Sequence, residues 1–257
     1  MLKVFEQAAL AAGRAILEIC QASAAVTLKP DASPVTVADE RAEAIILSAL
    51  AEALPNVPVV AEEAVAAGRI PDTGGSTFIL VDPLDGTREF IADRPEFTVN
   101  IALIENGVPV TGIVYAPALG VAYVGSGAGA EKLTISPQFK VTERRPIAVR
   151  PSHRPPVAVA SRSHDSPQTQ QYLKDHGIVD CCSIGSSLKF CLLAEGAADI
   201  YPRFSRTMEW DTAAGDAVLR AAGGTTLCLD GRPLSYGKRK QPSDTDFANP
   251  SFVSRGG

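Results

Sequence analysis

Residues 79–90 read ILVDPLDGTREF. An apolar run ends in Asp82, Pro83 follows, and a second acid, Asp85, stands three positions on, with Gly86 and Thr87 directly behind it. Such a run reads as a buried strand. Its end is a poor place to hydrate two carboxylates that repel each other. Proline stiffens the turn, and glycine lets the backbone approach a ligand closely. The stretch therefore predicts a strand that carries two acids into a tight turn, with a positive guest between them.

Further strand-like runs surround it: VPVVAEE, TFILVD, FTVNIALI, PVTGIVYA and GVAYVG. Short turns such as ENGV join them, which favours an antiparallel sheet over a series of βαβ units. Two helices precede the runs, over Leu2–Cys20 and Val37–Leu54, where apolar residues recur at helical spacing. From Glu131 to Pro156 the pattern weakens and becomes polar and proline-rich, so a lobe boundary is placed there, with residues 1–150 as the first lobe. Residues 151–257 alternate: strand PVAVAS, a helix near Pro167–His176, strand CCSIG, helix Ser186–Ala197, strand DIYPR, helix Thr212–Ala222 and strand GTTLCL. That alternation predicts a smaller α/β lobe, ending in a frayed SRGG.

Composition limits the function classes. A chain of 257 residues, 46% hydrophobic, can bury a substantial core. A formal net charge of −5 argues against a nucleic-acid polymer as partner, which needs a basic surface, but leaves room for one small anion in a local basic pocket. Five cysteines, with Cys181 and Cys182 adjacent, suggest neither a disulfide framework nor zinc. Lys3, Glu6, Arg14 and Glu18 interrupt the apolar N-terminus, which reads as an amphipathic helix and not as a signal peptide. The uncharged stretch from Gly107 to Ala130 is long enough to span a bilayer, but Pro109, Pro117 and its glycines break it into short β segments. The expectation is a soluble, intracellular protein.

Other acids gather around the opening motif. VVAEE places Glu62 and Glu63 at the end of an apolar strand, SPVTVADE places Asp39 at a helix start, and MEWDTAAG places Asp211 at a helix N-cap followed by small residues. Hard divalent cations take oxygen ligands, and Mg²⁺ favours a few carboxylates together with substrate phosphate and water. Magnesium is thus the expected guest. Capping by Asp39 and Asp211 is compatible with that role.

DPLDGT followed far downstream by WDTAAG, with EE and SPVT-x-AD upstream, resembles the paired signature of the inositol monophosphatase superfamily of lithium-sensitive, magnesium-dependent phosphatases. EFTVNIALI, GIVYAP, SRSH, SIGSSLKFCLLAEGAADIYPRF and FANPSF narrow the resemblance to the bacterial 3′(2′),5′-bisphosphate nucleotidases of sulfur assimilation, the CysQ type. It covers nearly the whole chain and is thinnest at Ala66–Ser76 and Glu131–Val149. It implies an α+β fold, a layered α/β/α/β/α sandwich, and two or three Mg²⁺ ions. Glu62, Asp82 and the Leu84 carbonyl would hold one ion, and Asp82, Asp85 and Asp211 a second, so that Asp82 bridges. The phosphate would lie over the Asp85–Thr87 turn, taking hydrogen bonds from the Gly86 and Thr87 N–H groups. Thr87 and Asp39, or Glu62, would orient and deprotonate the attacking water, with no protein nucleophile. Glu63 is divided between a supporting and a purely structural role.

Specificity falls to other residues. A polyol phosphatase of this superfamily offers a carboxylate just before the WD motif, where this chain has Arg203. A guanidinium suits a second phosphate better than a sugar hydroxyl. Lys189 and Ser186, three apart on an expected helix, would face the same anion, and His164 in SRSH resembles a nucleotide-contacting position. The implied reaction removes the 3′-phosphate of adenosine 3′,5′-bisphosphate, a small-molecule by-product of sulfate activation. The alternatives are an inositol or sugar monophosphatase and a catalytically silent nucleotide- or metal-binding regulator. The preference between the bisphosphate and 3′-phosphoadenylyl sulfate stays open, as does the oligomeric state. The implied location is cytoplasmic, with peripheral association at the cytoplasmic face of the inner membrane left open.

Overall fold

The computed structural model describes residues 1–20, 26–28, 34–74, 76–151, 155–161 and 166–257. Helices α1 (Leu2–Cys20) and α2 (Val37–Ala53) open the chain, separated by the short hairpin β1 (Val26–Leu28) and β2 (Pro34–Thr36). In α1 the buried residues Phe5, Ala8, Ala9, Ala12 and Ile16 recur at helical spacing and form one apolar stripe. That stripe and the matching one on α2 cover a face of the first sheet.

This sheet has seven strands in the order β3 (Val59–Ala61), β4 (Thr77–Asp85), β5 (Thr98–Glu105), β6 (Val108–Ala116), β7 (Val121–Ser126), β8 (Gly129–Ile135) and β9 (Val141–Ile147). Every pair is antiparallel except β3 with β4, which run parallel through the short helix α3 (Glu62–Ala66). The ENGV turn works as its residues suggest: Asn106 and Gly107 both take positive φ, +52° and +77°, and close the β5–β6 hairpin. A second sheet runs in the order β11 (Cys181–Ile184), β10 (Ala158–Ser161), β12 (Ile200–Arg203), β14 (Phe252–Arg255) and β13 (Thr225–Cys228).

Helices α6 (Leu188–Ala194) and α7 (Trp210–Ala221) lie between the sheets within one apolar cluster drawn from both. Helix α5 (Pro167–Asp175) packs on the far side of the second sheet. The layers are therefore helix, sheet, helix, sheet, helix, the α+β sandwich anticipated above. The small residues of TAAG let α7 come close. A side chain on Gly112 of β6 would lie 2.6 Å from the Ala214 carbonyl oxygen and 2.8 Å from Ala217 Cβ. This contact draws the start of α7 toward the end of β4.

Three local expectations need correction. The polar stretch after Glu131 is not a linker at its start: β8 and β9 complete the first sheet up to Ile147. β9 escapes notice because it is an edge strand carrying Glu143, Arg144 and Arg145, charges typical of a protected edge. The C-terminus is not frayed over Phe252–Arg255, since β14 lies between β12 and β13. Helix α6 begins at Leu188, two residues later than expected, because Ser186 takes a φ of +50° outside the helical region.

Candidate active site

The opening motif owes its geometry to a bulge. Residues three apart on a regular strand point to opposite faces. In β4, Asp82 pairs with Asn100 and Asp85 with Thr98, so two residues intervene on one strand and a single residue on the other. The extra residue turns both acids to the same face. Pro83, which has no N–H to give, sits within the irregular part. Leu84 turns the other way, into the core beneath α1 and α2.

Gly86 follows with φ +96°, a conformation that costs little only without a side chain, and caps the short helix α4 (Thr87–Ile91). The first N–H groups of that helix have no helical carbonyl ahead of them and face the cavity that Gly86 and Thr87 line.

The cavity, about 600 Å³, is lined by the acidic group Glu62, Asp82, Asp85, Glu89 and Asp211, by Leu84, Gly86 and Thr87, and by Ser186, Lys189, Tyr201, Arg203 and Arg206. Glu62 reaches it from the first residue of α3. Asp211 stands in the first turn of α7 and is not its N-cap, a position held by Glu209. Its Oδ2 accepts the Met208 N–H at 2.8 Å.

Burial raises the pKa of Asp82 well above the usual carboxylate range, and the charges of Glu62, Asp85 and Asp211 raise it further. Burial also raises that of Asp85, opposed by Lys189 and by the hydrogen bonds of Ser187 and Asn100. Asp211 is pushed up to about 8, by burial first and then by Asp85 and Glu62. Glu62, Asp82, Asp85 and Asp211, lining one cavity, form a hard-oxygen donor set in which neighbouring charges disfavour the ionisation of Asp82 and Asp211, and which cations would relieve. Among the described residues, no three acidic, imidazole or thiol side chains already form a closed metal-binding group. By donor chemistry and charge, the residues present fit divalent cations.

Asp39 does not line the cavity but reaches it through Thr87. Its Oδ2 accepts the N–H and hydroxyl of Thr36, both at 2.7 Å, in a capping box at the start of α2. Its Oδ1 accepts the Thr87 hydroxyl at 3.1 Å. A buried carboxylate fixed from behind thus holds the threonine side chain at the cavity wall.

Among the cationic lining residues, Arg203 is buried; its Nε and Nη2 donate to the Ser205 and Arg206 carbonyls at 3.1 and 3.2 Å. Lys189 is buried as well, with its ammonium on the Ser186 and Ile184 carbonyls and 5.5 Å from the Tyr201 ring centre. Burial lowers its pKa to about 8; Asp85 opposes that shift and Arg203 adds to it. Ser186 and Lys189 do meet, but through the serine's carbonyl and not by flanking each other on one helix. His164 lies outside the described residues.

Several residues that shape the site were not singled out from the sequence. Ser187 Oγ lies 2.9 Å from Asp85 Oδ2 and 2.6 Å from the Asp211 carbonyl, joining β4 to α7. Asn100 Nδ2 donates to Ser187 Oγ at 3.0 Å. Glu43, one turn beyond Asp39 on the same helix face, accepts the Glu63 N–H at 2.7 Å and so anchors the start of α3. Its spacing from Asp39 was the available signal. Glu63 is held at its backbone, while Glu62 is the glutamate on the cavity.

A model of the inositol monophosphatase family matches residues 1–245. The 3′(2′),5′-bisphosphate nucleotidase CysQ of Escherichia coli K12 is 44% identical over 254 residues, covering 98% of each chain. The protein of the same description from Buchnera aphidicola is 41% identical, over 99% of this chain and 93% of its own. Among solved structures, CysQ from Bacteroides thetaiotaomicron superposes with a TM-score of 0.76 at 41% identity, covering 97% of this chain and 94% of that one. An inositol monophosphatase from Anabaena shares the fold, with a TM-score of 0.74 at 24% identity over 100% and 90% of the two chains.

Proposed function

The chain belongs to the inositol monophosphatase family, and from that premise we propose that it is a Mg²⁺-dependent 3′(2′),5′-bisphosphate nucleotidase. It would remove the 3′-phosphate of adenosine 3′,5′-bisphosphate, leaving AMP and phosphate. The observation that carries this reading is one cavity lined both by the carboxylates of Glu62, Asp82, Asp85, Glu89 and Asp211 and by a buried lysine and a buried arginine. A monophosphate needs only carboxylates that can hold cations. The lysine and arginine suit a phosphate that is bound and not cleaved.

In this reading Glu62, Asp82 and the Leu84 carbonyl would hold one Mg²⁺, and Asp82, Asp85 and Asp211 would hold a second. Two or three such ions, when bound, would neutralise the transferred phosphoryl group and acidify water. The chain's own work is positioning and proton transfer. The Thr87 hydroxyl donates to Asp39, so its lone pairs are presented to the cavity. As water attacks phosphorus, its proton passes to Thr87 Oγ1 while the threonine proton passes to Asp39; the bond from phosphorus to the 3′-oxygen breaks, and that oxygen takes a proton from solvent to leave as the 3′-hydroxyl of AMP. The N–H groups of Gly86 and Thr87 bind the phosphate undergoing attack. Lys189, Ser186 and Arg203 hold the other, with His164 assigned to the nucleoside. Functionally, residues 1–150 carry Glu62 to Thr87, and residues 151–257 carry Asp211 and the specificity groups.

Phosphate release from adenosine 3′,5′-bisphosphate, inositol 1-phosphate and fructose 1,6-bisphosphate, with Mg²⁺ present, tests the assignment. The nucleoside bisphosphate should give the highest kcat/KM. Preference for inositol 1-phosphate would refute it, and absence of turnover on all three would favour a silent binding protein.

A further inference from the structure

We propose that Arg206 is a further specificity-determining residue: an exchangeable cation at the cavity mouth, held by Asp244 until the uncleaved phosphate of a nucleoside bisphosphate takes it over. This rests on the nucleotidase reading above. Arg206 lines the cavity, yet its side chain is 54% exposed. Its Nη2 lies 3.3 Å from Asp244 Oδ1 and donates to the Thr245 hydroxyl, and Thr245 lines the cavity too. Arg203 and Lys189 are buried and direct donors to backbone carbonyls, so neither can travel far to meet a ligand.

The backbone beneath Arg206 is firmly held. Its carbonyl accepts Arg203 Nη2 at 3.2 Å, and the next carbonyl, that of Thr207, accepts the Asn249 N–H at 2.9 Å. The segment that carries Asp244 is tied down at both ends. Glu209 accepts the Gly237 and Lys238 N–H groups at 2.6 and 2.8 Å, and Asn249 Nδ2 donates to the Met208 carbonyl at 2.8 Å. Within that segment Asp246 is engaged by Arg239 and the Lys240 N–H, so it does not compete for Arg206. A half-exposed guanidinium on a held backbone thus faces a carboxylate that acts as an internal competitor.

An exposed pair of this kind is weak and easily exchanged. A phosphate carries more charge than a carboxylate and accepts a guanidinium in bidentate fashion.

The test is steady-state kinetics at saturating Mg²⁺ on adenosine 3′,5′-bisphosphate and on a nucleoside monophosphate. It uses the wild-type chain, Asp244→Asn, Arg206→Ala and the double variant, all at surface positions that leave the fold intact. Removing the competitor, Asp244→Asn should lower KM for the bisphosphate about two- to five-fold. Its kcat, and its kcat/KM on the monophosphate, should stay at the wild-type values. Arg206→Ala should raise KM for the bisphosphate about ten-fold or more with kcat retained. In that background Asp244→Asn should change nothing. An Asp244→Asn variant with unchanged or raised KM, or one whose gain survives the loss of Arg206, overturns the proposal while the nucleotidase reading stands. A wild-type chain that does not hydrolyse the bisphosphate overturns both.

Discussion

Crowding the site's acids together should make the metal-free protein less stable as pH rises, and Asp211→Asn isolates the effect. The folded chain raises the Asp211 pKa from 3.8 to about 8, through burial and the charges of Asp85 and Glu62. A group that binds its proton more tightly when folded stabilises the fold below its unfolded pKa, and that stabilisation is lost as pH rises through the folded value. The window runs from pH 3.8 to about 8. Between pH 4 and pH 7 the full difference would approach ~4 kcal/mol, at ~1.36 kcal/mol per pH unit. Neighbouring acids share the proton and the cavity admits water, so roughly 2–4 kcal/mol is the expected cost. Asparagine keeps an acceptor for the Met208 N–H and carries no charge. Urea unfolding followed by circular dichroism, in EDTA from pH 4.5 to 8.5, should show the two proteins alike at the acid end. Near pH 8 the variant should be the more stable by that margin. Excess Mg²⁺ should close or reverse the gap, because only the wild type gains fully from binding. Parallel profiles in EDTA, or a wild type that is the more stable at pH 8, would refute the reasoning.

Two other outcomes follow from the site. Thr87→Val keeps the shape of the side chain but removes the hydroxyl on Asp39, so kcat should fall about 10²-fold or more, with Thr87→Ser retaining most activity and Asp39→Asn adding little to the valine variant. Single-turnover phosphate release measures this, and additive losses would break the Thr87–Asp39 relay. Lys189 should lose its proton as pH passes about 8, weakening its hold on the uncleaved phosphate. KM for the bisphosphate should therefore rise between pH 7 and 9.5 in the wild type and stay flatter in Lys189→Met. Identical profiles in the two proteins would remove the lysine from the phosphate pocket.

Where local chemistry decides structure, the sequence was legible. The apolar run into DPLDGT, the helix start that carries Asp39 and the small residues behind Asp211 each carry their own physical signal. The bulge in β4 does not: the spacing of Asp82 and Asp85 alone places them on opposite faces, and only the pairing with Thr98 and Asn100 turns them together. β14 was missed because four residues at the chain end carry little pattern, and distant partners on β12 and β13 supply its hydrogen bonds. β9 was missed because edge strands carry charge. Lys189 illustrates a subtler limit. Helical spacing put it on one helix with Ser186, but Ser186 takes a φ of +50° ahead of the helix and its carbonyl accepts the lysine ammonium. Arg206 and Asp244 are 38 residues apart, and nothing local marks them as neighbours.

If Asp82 is shared between two cations, as proposed above, its loss should undo the whole metal site. Isothermal titration of Mg²⁺ into the wild type and Asp82→Asn, at pH 7.5 and matched protein concentration, addresses it directly. Circular dichroism would verify that the isosteric variant is folded. The account expects the wild type to bind more than one Mg²⁺ per chain with release of protons, since cations displace them from the raised carboxylates. In Asp82→Asn every binding event should weaken together, by about ten-fold or more. Loss of one event with the other untouched would assign Asp82 to a single ion, and an unchanged titration would contradict the account.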